Sequence, residues 1–333
     1  MPMHSDIYVD ASKFDPSRVS EKTARLNENL IKILEGGPRW YEVGAEKYRV
    51  LRWNGETPLP KPVVIESAEN FTIPSRDPGR DIPCRMFKPE KGEVKGLYLH
   101  IHGGGWVLQS EASQDPLLKY MADNTGLAVL SIGYRLAPED PFPAGPEDCY
   151  DAGEYLVKNG KERFGGELMF MGGESAGGHL SVLTAIYLRH RYPDFSFRGL
   201  LLHFGAYDLS GFLPMVDHHD RGLVIDLDIM QRYIDVFLPN TTPMQRRDPA
   251  ISPFFADIRG LKLPPALFTC GTEDPLLDDT VMMSAKWMMW GNEAVVRIYN
   301  GAPHGYIMFP PGTCEAVQEG LDASTEFIQE KLK

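Results

Sequence analysis

The chain has 333 residues, 43% hydrophobic and 24% charged, the balance of a globular protein long enough to bury a large core. Its 34 Lys and Arg against 46 Asp and Glu give a net charge of −12, which repels nucleic acid and anionic membrane surfaces and argues against polyanion binding. Cys84, Cys149, Cys270 and Cys314 show no C-x-x-C or zinc-like spacing, so neither a disulfide framework nor a structural metal is expected.

The opening Met1-Pro2-Met3-His4-Ser5-Asp6 lacks a basic and then apolar signal pattern, and no stretch reaches about 18 uninterrupted apolar residues. A cytoplasmic protein with reduced thiols and no membrane span is the expectation. Residues 20–34 place Leu26, Leu30, Ile33 and Leu34 at helical spacing, with Ser20 as N-cap and Gly36-Gly37-Pro38 as the stop. Residues 41–53 predict a second helix, before Asn54-Gly55 and Pro58-Leu59-Pro60-Lys61-Pro62. Residues 1–62 therefore read as an arm that packs over something else.

Short strands are predicted at 63–65, 70–73 and 82–87, a hairpin-like mixed edge. There follow a buried strand at 96–101, a helix at 111–124, a strand at 127–132, a Pro-rich turn through Pro146 and a helix at 147–164. Strand 168–171, helix 179–188 and strand 200–204 continue the alternation, which implies crossover connections and a mainly parallel sheet covered on both faces. The stretch up to the next clear strand, 265–270, is far longer than a usual connection of about 2–6 residues. Within it, residues 226–238 bring Ile229, Tyr233, Val236 and Phe237 close to one helical face. Residues 206–247 read as an insertion that pairs with the N-terminal arm as a helical cap, leaving 63–205 and 248–333 as the α/β domain. A helix at 275–290, a strand at 294–299 and a helix at 314–333 close the pattern.

The organising stretch is Gly173-Glu174-Ser175-Ala176-Gly177-Gly178, between a buried strand and a helix. A Ser there, with Gly two residues to either side, fits a nucleophile elbow. The tight turn strains the Ser backbone, pushes Oγ out of the sheet and leaves the next N–H groups at a helix N-terminus. Such a Ser needs an orienting acid, a base and an oxyanion hole at the ends of strands of the same sheet. Asp274, after the strand ending at Cys270, is the acid candidate, with Pro275 able to start a helix at N1; a plain N-cap fits the same position. His304, after the last strand, is the base candidate, and the chain order Ser175, Asp274, His304 agrees. His102-Gly103-Gly104-Gly105-Trp106 can turn its N–H groups towards a bound carbonyl. No Lys-Ser/Thr follows these glycines and no G-x-G-x-x-G opens a helix, so nucleotide binding is disfavoured.

Together, His102-Gly103-Gly104-Gly105-Trp106 and Gly173-Glu174-Ser175-Ala176-Gly177-Gly178 resemble the hormone-sensitive-lipase-like esterases of the α/β-hydrolase fold. Tyr134-Arg135-Leu136-Ala137-Pro138-Glu139, Phe142-Pro143-Ala144, Asp274-Pro275-Leu276 with Asp278, and His304-Gly305 extend the likeness over residues 63–333. The resemblance implies Ser175 as nucleophile, His304 as general base and then acid, Asp274 as its orienter, and Gly103, Gly104 and Ala176 as backbone oxyanion donors. It also implies that His102 supports the glycine loop, that N-terminal helices and a later insertion form a lid, and that a homodimer through the sheet edge is a partner to look for. Glu174 departs from the family's more usual Asp.

The expected activity is hydrolysis of small carboxylic esters of short to medium acyl length through an acyl-enzyme, without cofactor. A thioesterase or lactone hydrolase would use the same groups. A ligand receptor on this fold, as in the plant gibberellin receptors, is the rival of another class, but those have lost the catalytic His. Trp40, Trp106, Phe212, Leu213, Tyr233 and Phe237 are expected to bound the substrate pocket. Asp217-His218-His219-Asp220 has ligand types, yet adjacent side chains diverge and no second pair accompanies them, so no metal is expected. Met282, Met283, Met288 and Met289, with Trp287 and Trp290, read as packing on the core and helix faces, and His203 as a structural residue at a strand end.

Overall fold

The apolar runs form eight strands in a computed structural model that describes Ser5, residues 8–219 and residues 221–333, with the backbone alone at His218. These are β1 (Glu69–Pro74), β2 (Asp81–Phe87), β3 (Leu97–Ile101), β4 (Ala128–Ile132), β5 (Leu168–Glu174), β6 (Gly199–His203), β7 (Ala266–Glu273) and β8 (Ala294–Pro303). They make one sheet in the order β1-β2-β4-β3-β5-β6-β7-β8. The pairings β1 with β2 and β2 with β4 are antiparallel, and all the others are parallel.

Side chains alternate across a strand, and here both sides are buried. Leu97, Leu99 and Ile101 of β3 and Leu200 and Leu202 of β6 join one core with α5 (Ala144–Phe164), α6 (Ala176–Arg191) and α9 (Leu277–Met289). Tyr98 and Leu201, the residues between them, face the other core with α4 (Asp115–Thr125) and α10 (Glu315–Leu332). Met283 and Trp287 of α9 are fully buried in this packing, whereas Met282, Met288, Met289 and Trp290 are exposed.

In the N-terminal arm, α1 (Glu21–Glu35) starts at Ser20, whose Oγ accepts the Thr23 N–H. The second expected helix is divided at Gly44, φ +91°, into α2 (Trp40–Val43) and α3 (Ala45–Asn54). The arm meets the long insertion, which contains α7 (Pro214–His218) and α8 (Leu227–Phe237). Trp40 stacks on Tyr233 at 5.1 Å, Tyr41 bonds to Asp228, and Arg39 lies 3.5 Å from Asp226. The first turns of the chain also cover part of the β8 edge, with Asn300 Nδ2 donating to Asp15 O and Asn27 Nδ2 to Gly301 O.

Four further expected elements differ, one of them the helix expected at 111–124, which begins at Asp115 after a turn over 111–114. Residues 63–65 form no strand: Val63 and Val64 are exposed, and the Ile65 N–H goes to Asp115 Oδ2 at 2.7 Å instead of to a ladder. Helix α5 begins at Ala144, because Pro146 in its first turn needs no N–H bond there. Helix α9 begins at Leu277, past Pro275.

The Ile65 segment is held by a buried ion pair. Arg85 on β2 meets Asp115 at 2.5–3.0 Å, and its remaining N–H groups bond Asn70 Oδ1 and Ile65 O. Asp115→Ala strands that guanidinium, and a loss of about 3–5 kcal/mol is expected in urea denaturation. A loss under about 1 kcal/mol would contradict this account of the pair.

Candidate active site

Ser175 is the single residue between β5 and α6, with φ +54° and ψ −117°. This left-handed conformation costs a non-glycine residue about 1–3 kcal/mol and persists only where its surroundings enforce it. Here the Ser175 N–H donates to His203 O at 2.9 Å, and the elbow is pressed onto β3: a Cβ on Gly173 or on Gly177 would stand 1.9 Å from Ile101 O. Oγ is thereby turned out of the sheet above the positive end of the α6 dipole.

His304 follows β8 directly. Its Nε2 lies 3.1 Å from Ser175 Oγ and its Nδ1 2.9 Å from Asp274 Oδ2. Asp274 follows β7 and is fully buried; its Oδ1 accepts the Leu276 N–H at 2.9 Å, so it closes the turn before α9 rather than capping a helix at Pro275. The imidazole is buried against Phe204, 4.8 Å away. Ser175, His304 and Asp274 thus come together from three strand ends.

The glycine loop leaves β3 and faces the elbow. Gly104 has φ +101°, and a Cβ there would stand 2.3 Å from Leu108 O. Among the described residues no protein acceptor takes the N–H of Gly103, Gly104 or Ala176. Buried rings fix the loop from behind. His102 Nδ1 donates to Gly103 O at 2.8 Å and stacks on Tyr134, whose hydroxyl donates to His102 O at 3.0 Å. Burial pushes His102 down to about 4, against the opposing pull of its Gly103 bond. Trp106, itself at φ +62°, donates its indole N–H to His179 Nδ1 at 3.1 Å, and His179 Nε2 donates to Ile251 O at 2.7 Å. Both His179 nitrogens are committed to the neutral ring, and burial pushes this group too to about 4.

Glu174 has a partner that the sequence did not reveal. Its Oε2 lies 3.0 Å from His100 Nε2, and His100 Nδ1 lies 3.0 Å from Ser131 Oγ. Burial raises this carboxyl, but its interactions with His100, His203 and Gln114 together hold it below its ordinary value. His203 sits behind, its Nδ1 2.8 Å from Thr269 Oγ1, and burial pushes it down to about 4 despite the Glu174 charge.

Ser175 and His304 open into a cavity of about 700 Å³, bounded by the glycine loop, the N-terminal arm, α8 and the turn after His304. Trp40, Trp106 and Tyr233 line it as expected from the sequence. Phe237 does not: it is 2% exposed and packs behind Trp106, ring on ring at 4.8 Å. Phe212 and Leu213 are also outside the lining, because the Met215 N–H bonds Asp278 Oδ2 and draws their segment towards α9. Tyr48, Pro58 and Met308 line the cavity without any periodic or motif signal to announce them. Of the Asp217 to Asp220 run, Asp220 and the His218 side chain lie outside the described residues. Among the described residues no three His, Cys, Asp or Glu side chains converge as metal ligands, and no helix is long and apolar enough to cross a membrane.

This sheet, with a Ser elbow, a His and an Asp gathered at its strand ends, defines an α/β hydrolase. Residues 98–308 match a family described as having the alpha/beta hydrolase fold, and the chain belongs to that family, in its hormone-sensitive-lipase-like group. Carboxylesterase NlhH of Mycobacterium tuberculosis is 30% identical over 73% of this chain and 77% of its own length. Ethyl acetate hydrolase of Pseudomonas putida is 27% identical over 79% and 82%. Among solved structures, the hyperthermophilic esterase of Pyrobaculum calidifontis aligns with a TM-score of 0.73 and 29% identity over 95% of this chain and 93% of that one.

Proposed function

We propose that this carboxylic-ester hydrolase works through an acyl-enzyme on Ser175, with His304 as general base and then acid and Asp274 holding the imidazole. The observation that carries the reading is the continuous chain from Ser175 Oγ to His304 Nε2 and from His304 Nδ1 to Asp274 Oδ2, at 3.1 and 2.9 Å, opening on one cavity. Oγ attacks the ester carbonyl as Nε2 takes its proton. The oxyanion is met by the N–H groups of Gly103, Gly104 and Ala176, and the imidazolium returns the proton to the departing alkoxide. Water then adds to the acyl-enzyme, giving its proton to the same nitrogen, and Ser175 leaves with that proton as the acid is released.

A cavity of about 700 Å³ and a relative that hydrolyses ethyl acetate support short to medium acyl chains. Thioesters and lactones meet the same chemistry and are distinguished only by the pocket. The His304 imidazole beside Ser175 favours an enzyme over a receptor. Of the arm 1–62, the part from Leu34 onwards acts with the insertion 206–247 as the cap, joined by the Trp40 and Tyr233 stack, while Asp15 and Asn27 hold the start of the arm on β8. Four free, buried cysteines fit a reducing cytoplasm. A homodimer through the sheet edge would use the 294–298 half of β8, since Asp15 and α1 occupy the other half.

Organophosphate labelling tests the site. A fluorophosphonate is expected to label Ser175 in the wild type, located by peptide mass, with labelling at least about a hundredfold slower in His304→Ala. Equal labelling rates in the two proteins would remove His304 from the role of base.

A further inference from the structure

Two residues of the cavity wall carry a polar group without a protein partner among the described residues; one stands beside Gly104 of the glycine loop, the other is held against that loop through Tyr233. The carboxamide oxygen of Gln109 is buried and accepts no hydrogen bond among the described residues. Its Cγ packs against Gly104, 3.2 Å from where a Cβ of that residue would stand. The indole N–H of Trp40, in a side chain 6% exposed, likewise finds no acceptor among the described residues. Trp40 stacks on Tyr233, and the Tyr233 ring lies against Gly105. Both Gln109 and Trp40 line the cavity that holds Ser175 and His304.

Each orphan group is costly, since a buried polar atom left unpaired loses its hydration without return. Gln109 adds a backbone penalty: its φ is +71°, a conformation that a side chain with a Cβ disfavours. A strained, long polar residue of the cavity wall with an unsatisfied end, packed by its stem on an oxyanion-loop glycine, is the pattern of a group held for a ligand rather than for packing. One group accepts and the other donates, and a hydroxyl does both.

We infer that the natural substrate carries a hydroxyl close to its ester group, recognised by the Gln109 carboxamide and the Trp40 indole N–H. This rests on the reading of Ser175 as nucleophile and adds the substrate class to it. The hydroxyl donates to Gln109 and accepts from Trp40, while an alkyl group of the same size leaves both unpaired. A site built this way rejects the analogue that lacks the hydroxyl more strongly than an apolar pocket rejects a change of one methylene.

The test compares matched esters by kcat/KM. On the acyl side the pair is p-nitrophenyl 3-hydroxybutyrate against p-nitrophenyl butyrate; on the alcohol side it is 2-hydroxyethyl butyrate against propyl butyrate, followed by pH-stat. The wild type is expected to favour the hydroxylated member of at least one pair by about tenfold or more. That ratio is expected to fall at least about fivefold in Gln109→Leu and in Trp40→Phe, the latter keeping the stack on Tyr233. Gln109→Gly removes the amide while relieving the backbone, so it guards against a folding defect and is expected to lose the ratio as Gln109→Leu does. Absence of preference in both pairs, or a preference that survives any of these substitutions, overturns the inference. Failure of the wild type to hydrolyse either member of both pairs would instead strike at the Ser175 reading.

Discussion

Ser175→Ala is expected to lower kcat on p-nitrophenyl butyrate by about four to six orders of magnitude, and His304→Ala by a similar factor. Both act on the same step. Without Oγ no acyl-enzyme forms, and without Nε2 at 3.1 Å the hydroxyl keeps its proton and stays a poor nucleophile. The double substitution is therefore expected to cost little more than either single one, because each removes the same covalent route. What remains comes from the glycine loop and the cavity. The fold survives, since alanine occupies the elbow with the same φ of +54° and loses only Oγ. Ser175→Gly is equally inactive but is expected to gain about 1 kcal/mol in stability, as the strain of that conformation is released. Rates within about tenfold of the wild type in either Ser175→Ala or His304→Ala, in protein free of contaminating esterase, would exclude the mechanism.

The parts of the site visible in the sequence are those that the backbone dictates. An elbow needs small flanks where β5 meets α6, and Gly173 and Gly177, each pressed onto Ile101 O, write that need into the chain. The mainly parallel sheet was legible for a similar reason, since strands buried on both faces become unbroken apolar runs such as 200–202. Residues 63–65 show the limit: the same apolar signature is also what a chain looks like when a buried Asp115 and Arg85 take its polar groups. The pocket was less readable still. Phe237 has the periodicity of a residue facing inward, and it does face inward, but behind Trp106 rather than into the cavity. Periodicity reports a buried face without telling a core from a pocket. Gln109 and Tyr48 gave no signal because neither belongs to a repeating pattern. Glu174 stood out in the sequence, but its reason, a reach across to His100 on β3, is a tertiary one.

Stability is expected to fall steeply as pH drops below about 6.5. Burial holds His102, His179 and His203 down at about 4 from a usual 6.5. A depressed folded-state pKa means that, between 6.5 and 4, the unfolded chain binds protons that the folded chain refuses. The stabilisation these rings give is therefore complete above 6.5 and is lost as pH falls towards 4. Geometry agrees, since His179 has both nitrogens engaged as a neutral ring and an added proton on Nδ1 would displace the Trp106 N–H. Each ring contributes up to about 1.4 kcal/mol per pH unit. Asp279 works against them: burial and its acidic neighbours raise it to about 7, although two backbone N–H groups oppose the shift, so its contribution is present at low pH and lost as pH rises through 7. Three histidines against one aspartate leave the histidines dominant over the window, a net slope on the order of 3 kcal/mol per pH unit at most. Urea denaturation at half-unit steps from pH 7.5 to 4.5 measures the slope. His179→Gln, whose amide can accept from Trp106 and donate to Ile251 O without titrating, is expected to lower it by about 1.4 kcal/mol per pH unit. A wild-type stability that stays level between pH 6.5 and 5 would mean that these rings ionise freely, and that the glycine loop is not held from behind by neutral histidines.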